Sequence, residues 1–153
     1  MLEDVRIRAI APADAGQVFT LQRAAFVDEA LLYETADIPA FTQTLDELKA
    51  ELATNVGCVA EVGPRLVGAV RARVEGDLLV IGRLAVVPDL HGRGIGTRLL
   101  AAVEAGSGAA EAELFTGALS EANLRLYRRE GYVETHQVTL PGVVLVYLRK
   151  PLR

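Results

Sequence analysis

The residues of this chain best suited to chemistry stand in two short segments. The first is LHGRGIGTRLL, residues 90 to 100, where Gly92, Gly94 and Gly96 alternate. Ahead of it, Leu78 to Val87 is an apolar run rich in branched residues, the pattern of a buried strand. Pro88 ends that run, because proline has no N–H to give to a ladder. Behind the glycines, Thr97 to Val103 reads as a helix. Strand, glycine loop and helix start together make a cradle for an anion. Glycines let the backbone come close, the first-turn N–H groups have no internal partners, and the helix dipole adds positive charge there. A phosphate-bearing ligand is expected. The second segment is SEANLRLYRREGY, residues 120 to 132. Ser120 reads as the N-cap of a helix running through Glu130, with Arg128 and Arg129 in its last turn and Gly131 as a left-handed residue beyond it. Asn123 and Tyr127 lie four apart, so they share one face.

The glycine spacing excludes two familiar phosphate loops. A P-loop needs Lys followed by Ser or Thr after its last glycine, and Thr97-Arg98 is neither. A G-x-G-x-x-G fingerprint counted from Gly92 would put its third glycine at Thr97, and counted from Gly94 at Leu99. What remains resembles the pyrophosphate loop of the GNAT superfamily of acyl-CoA-dependent N-acyltransferases, Gln/Arg-x-x-Gly-x-Gly/Ala. It falls here on His91, Gly92, Arg93, Gly94, Ile95 and Gly96. His91 stands where the family carries Gln or Arg, so one charge-assisted phosphate contact departs from the pattern while the backbone donors stay. The family's second motif, roughly N-x-x-x-x-Y-x-x-x-G-F/Y with small variations in spacing, is close to Asn123, Tyr127, Gly131 and Tyr132. The resemblance covers about residues 57 to 149; the first fifty residues agree in architecture alone.

The resemblance implies acetyl transfer from acetyl-CoA to a primary amine of a small molecule or a protein, by direct attack in a ternary complex. In this family two central strands splay apart and the pantetheine arm inserts between them almost as an extra strand. Those strands correspond to Leu78–Val87 and Ala112–Thr116. Backbone groups of Leu84, Ala85 and Val86 then pair with the pantetheine amides, and a main-chain N–H there holds the thioester oxygen as it becomes an oxyanion. The loop from Gly92 to Thr97, with His91 ahead of it, holds the pyrophosphate. Asn123 binds the cofactor arm or orders its helix. Tyr127, a phenol of ordinary pKa about 10, stays protonated at neutral pH and is the expected acid for the departing thiolate.

A base is harder to place. An alkylamine is mostly ammonium at pH 7 and must lose a proton before attacking. Many relatives carry a glutamate on the strand matching Leu78–Val87, and this chain has none there. Arg83 is the only charged side chain inside that strand; pairing with a buried acid is expected ahead of anchoring a substrate carboxylate. Glu34 is a candidate base, a surface carboxylate is its plainer reading, and a water relay is equally open. The alternative to an enzyme is a degenerate acyl-CoA-binding sensor or partner module, for which the missing strand carboxylate and His91 leave room.

Composition bounds the rest. A chain of 153 residues is expected to form one domain over 1–153. Although 51% of the residues are apolar, no run approaches the roughly 20 needed to span a bilayer. The charged, alternating start MLEDVRIRAI reads as a strand and not a signal peptide. One cysteine, Cys58, with His91 and His136, gives neither an internal disulfide nor a metal-ligand spacing, so an intracellular, cytoplasmic and metal-free protein is expected. Net charge −4, with two lysines among sixteen basic residues, argues against nucleic-acid binding. Family habit allows a homodimer. The element order reads βααβββαβαββ, a mixed α/β (α+β) fold with about seven strands and a splay between the fourth and fifth. Residues 27 to 43 read as irregular, broken at Asp37-Ile38-Pro39, and Thr44 to Glu47 reads as a capping box.

Overall fold

The computed structural model describes residues 4–153, so the first three residues of the expected leading strand lie outside it. Seven strands form one sheet: β1 (Arg6–Ala9), β2 (Val56–Val62), β3 (Arg65–Glu75), β4 (Leu78–Val86), β5 (Glu111–Gly117), β6 (Val133–Leu140) and β7 (Val143–Pro151). Their spatial order is β1-β2-β3-β4-β5-β7-β6. Every neighbouring pair is antiparallel except β4 and β5, which run parallel. The parallel pair needs a crossover, and the glycine loop with its helix supplies it.

The helices are α1 (Ala15–Ala25), α2 (Val27–Leu32), α3 (Pro39–Thr42), α4 (Leu45–Thr54), α5 (Ile95–Ala105) and α6 (Glu121–Arg129). Short 3-10 turns precede α1 and α5. Strand alternation puts successive side chains of β3 on opposite faces. A Cβ on Gly68 would meet Leu99 and Ile95 of α5, whereas Arg71 reaches Gln22 of α1 and Glu51 of α4. The sheet is therefore covered on one face by α5 and on the other by α1 and α4. Between the layers lie fully buried Leu48, Val59, Val67, Val70, Leu79, Leu99, Leu100 and Leu148. A buried side chain of this size contributes about 2 kcal/mol of hydrophobic stabilisation.

The expected capping box is present: Thr44 Oγ1 accepts from the Glu47 N–H at 3.1 Å, and Glu47 accepts from the Thr44 N–H at 2.8 Å. The segment read as irregular differs. Val27–Leu32 is helical and Pro39–Thr42 makes a single turn. Nothing in VDEALL breaks a helix, and the Pro39 break acts only on the residues just before it. At the far end of the chain, Glu104 at the close of α5 accepts from Tyr132 Oη (2.7 Å) and from Lys150 Nζ of β7 (2.9 Å). That junction ties the β5–β7–β6 half of the sheet to the helix that covers β3 and β4.

Candidate active site

The central feature is a gap. β4 and β5 pair only at Leu78–Glu111, Leu79–Ala112 and Val80–Glu113. Past those three rungs they diverge, although β3 continues alongside β4 as far as Val86 and β7 alongside β5 as far as Gly117. Two strand edges thus face one another without bonding, and an extended chain can lie between them. β4 also carries a bulge. Ala69 pairs with Ala85 and Arg71 with Gly82, so Arg83 and Leu84 together stand opposite Val70. Arg83 takes a left-handed backbone with φ 54° there.

At the open end of the gap the chain turns from β4 into α5. Gly92 (φ 75°) and Gly94 (φ 81°) both adopt left-handed backbone, which a side chain would strain; space is not the constraint, since a Cβ at either would meet nothing within 4 Å. Arg98 is the first residue whose N–H finds a helical acceptor, the Gly94 carbonyl at 3.1 Å. The N–H groups of Ile95, Gly96 and Thr97 are left as donors at the helix mouth, a site fit for a phosphate. A Cβ at Gly96 would come within 3.6 Å of Leu126 of α6, so α5 and α6 lie side by side there.

The side chains around this loop point elsewhere. His91 Nε2 is 3.0 Å from the Val86 carbonyl, so its imidazole is turned back onto the end of β4. Arg98 donates to the Val5 carbonyl at 3.1 Å. Arg93 is exposed and adds to the positive field on Asp89, which Arg65 already holds through two bonds of 3.1 and 2.9 Å. The unpaired donors at the helix mouth are backbone N–H groups.

α6 places the second motif beside the gap. Asn123 Nδ2 lies 3.3 Å from Thr116 Oγ1 and so fastens α6 to β5. Tyr127 is 6% exposed and packs against Tyr132 at 6.1 Å between ring centroids. Its hydroxyl has no hydrogen-bond partner among the described residues. Burial, and then the negative charge of Glu29, push the Tyr127 hydroxyl above its ordinary value, so it remains a phenol at neutral pH. The helix closes as expected. Gly131 (φ 97°) follows Glu130, with Gly131 N–H to the Arg128 carbonyl at 3.1 Å and Tyr132 N–H to the Tyr127 carbonyl at 2.9 Å.

Ser120 is a correction. It stands at the N-cap position, but its hydroxyl makes no cap bond. It donates to Glu29 Oε2 at 2.8 Å and lies 3.1 Å from Tyr33 Oη, which also accepts the Leu119 N–H at 3.0 Å. The Tyr33 ring lies against Gly117, where any Cβ would collide with its hydroxyl. Helix α2 and the end of β5 are thereby joined across the gap. Glu29, unassigned from the sequence, has its carboxylate between Ser120 and the field of Tyr127. Its signal was present: Glu29 and Tyr33 are four apart, the spacing of one helical face. Glu34, the candidate base, is exposed on the loop after α2, with φ 54°.

Arg83 departs from the expected pairing with a buried acid. Glu51 is near enough to favour its charge, but it bonds to Arg71, which also reaches Gln22 Oε1 (2.9 Å) and Gln43 Oε1 (3.3 Å). Arg83 donates to no described residue, and its Nε is buried.

Comparison with known proteins agrees with this geometry. Residues 54–134 match the acetyltransferase (GNAT) domain. Among curated proteins none matches the sequence. Solved structures align over nearly the whole chain. PaiA N-acetyltransferase of Thermoplasma acidophilum, in complex with coenzyme A, is 15% identical with a TM-score of 0.80, covering 96% of this chain and 98% of that one. An N-acetyltransferase of Staphylococcus aureus is 17% identical with a TM-score of 0.81, covering 97% and 99%. The yncA protein of Salmonella typhimurium, with its cofactor acetyl-CoA, is 18% identical with a TM-score of 0.76, covering 97% and 94%. The chain belongs to the GNAT acetyltransferase family, and the split sheet is that family's fold.

Proposed function

We propose that the protein transfers the acetyl group of acetyl-CoA to a primary amine by direct attack in a ternary complex. The observation that carries this reading is the gap beyond Val80 and Glu113, with the unpaired N–H groups of Ile95, Gly96 and Thr97 at its mouth and α6, which bears Tyr127, fastened to β5 through Asn123 and Thr116. Those N–H groups receive the pyrophosphate of the acyl-CoA. The β4 edge from Leu84 to Val86 pairs with the pantetheine amides and presents a main-chain N–H to the thioester oxygen.

Glu29 is the proposed base. It accepts a proton from the acceptor ammonium, either directly or through one water, while Ser120 and the adjoining helix hold it in place. The freed nitrogen attacks the thioester carbon, and the N–C bond forms as the carbonyl oxygen gains charge. The C–S bond then breaks. Tyr127 gives its proton to the departing sulfur and regains one as the new amide nitrogen is deprotonated. Fixing both partners in one cleft supplies much of the rate by proximity.

A second reading, an acyl-CoA-binding module without turnover, draws on His91, whose ring is turned onto Val86. One experiment separates the two. Acetyl-CoA is titrated calorimetrically, and thiol release is then followed against a panel of primary amines. Acceleration by any of them supports transfer. Tight binding with no acceleration supports the module.

A further inference from the structure

On the acetyl-transfer reading above, we propose that Arg83 anchors a carboxylate of the acceptor, which makes the acceptor a free amino acid with an apolar side chain. Burying a guanidinium without a partner is costly, and such a group is kept where it has something to bind. Arg83 meets that condition at one atom: the side chain is half-buried, donates to no described residue, and its Nε is shielded from water without a partner. Its backbone adds a second, independent sign. A left-handed arginine on a bulge is strained, and bulges re-aim side chains next to reactive sites.

The surrounding charges favour an anion. Glu51 is bound by Arg71. Arg23, which joins the same cluster through the Gln43 carbonyl at 3.0 Å, also buries an Nη1 without a partner. Three guanidiniums therefore face one carboxylate among the described residues of the cluster. A planar guanidinium matches a carboxylate with two parallel bonds.

Position then narrows the class. Arg83 immediately precedes Leu84–Val86, the stretch proposed to hold the thioester. Counted from the last rung, Val80–Glu113, Arg83 on one edge and Thr116 on the other each stand three residues into the gap, Thr116 next to the Gly117 that Tyr33 covers. An anion held here sits close to the reacting carbon. The amine that attacks and the carboxylate that is held must therefore be separated by only one or two carbons. A lysine side chain of a protein carries no such carboxylate, and a protein N-terminus has an uncharged peptide in its place. Tyr33 itself, with Leu119, Leu140, Val143 and Val144, lines a cleft of about 360 Å³, surroundings suited to an apolar side chain.

The test uses wild-type protein and matched trios: phenylalanine, its primary amide and phenethylamine, then leucine, its amide and isoamylamine. The amino acids are expected to exceed both analogues in kcat/KM by about a hundredfold. Analogues that match the amino acids while accelerating thiol release would overturn the carboxylate anchor and leave acetyl transfer standing. Silence from every amine would instead remove the transfer reading on which the inference rests. In Arg83→Gln the ratio of amino acid to amide is expected to fall below about fivefold, with Arg83→Lys keeping part of it. A wild-type ratio in Arg83→Gln would overturn the assignment. The trios on wild-type protein decide the matter without any variant.

Discussion

At the scale of single residues, Tyr127 and Glu29 form the proposed acid and base, both tied to α6, Tyr127 by its place in that helix and Glu29 by the bond from Ser120 at its start. Tyr127→Phe is expected to lower kcat by about a hundredfold, with acetyl-CoA affinity by calorimetry nearly unchanged. The raised pKa fixes the sign of the pH dependence. The phenol is the working form and persists above its ordinary value of 10.0, so the turnover rate measured from pH 8 to 10 is expected to show no alkaline fall attributable to this group. Glu29→Gln is expected to cost about a hundredfold in kcat/KM, and Glu34→Gln less than twofold, in the same thiol-release assay. The helix that carries Tyr127 was legible in the sequence because Gly131 closes it, and the four-residue spacing puts Asn123 and Tyr127 on one face of it. The partners of Glu29 and the freedom of Arg83 were not. Glu29 bonds to Ser120, 91 positions later in the chain, and the freedom of Arg83 arises because Glu51, 32 positions before it, is drawn to Arg71 instead. Ser120 was misread for the same reason, since a hydroxyl at a helix start cannot show from sequence that a distant carboxylate claims it.

At the scale of elements, the glycine turn and the leading strand each make a testable unit. Gly94→Val forces a branched side chain into φ 81° and closes off the helix mouth. It is expected to abolish acetyl-CoA binding in a titration and to lower the melting temperature by several degrees, reflecting about 1–3 kcal/mol of strain. β1 is fastened to the start of α1 by Asp14, which accepts from Arg8 at 2.8 and 2.9 Å and from the Ala11 N–H at 2.7 Å. The Arg8 guanidinium holds the Asp14 carboxyl below the usual 3.8. A depressed pKa contributes stability that is complete above the unfolded value and is lost as the pH falls through the folded one. Asp14→Asn is therefore expected to destabilise by about 2 kcal/mol in urea titrations at pH 7, with the difference from wild type closing below pH 3.8. The strand and turn boundaries of this chain were readable because glycine and proline punctuate them. The bulge at Arg83 and Leu84 is marked only by Gly82 just before it, a glycine inside an apolar run, and the reading of Leu78 to Val87 as one strand leaves that mark unused.

At the scale of the molecule, the sheet comprises two parts, β1 to β4 and β5 to β6, joined by three rungs and by the Glu104 junction with Lys150 and Tyr132. Tyr33 bolts the open side through Ser120 and the Leu119 N–H. Gly117→Ala is expected to evict that ring and to raise the acceptor KM more than the acetyl-CoA KM, in steady-state kinetics with both substrates varied. The order of elements was legible from the apolar patterning, and the position of the split from the resemblance to the GNAT family that the glycine loop and the Asn123–Tyr132 motif carry. How few rungs hold the pair together was not, because apolar pattern continues through Val87 whether or not the partner strand follows. That scarcity has a mechanical consequence. Like a zip fastened only at its base, the pair is expected to yield along a single direction, the one in which the proposed thioester would enter. Amides along the open edge of β4 are expected to exchange with deuterium readily in the unliganded protein and slowly once coenzyme A is bound, while those of β1 stay unaltered. Rigidity in this enzyme would then come and go with each catalytic cycle, lent by the very molecule it consumes.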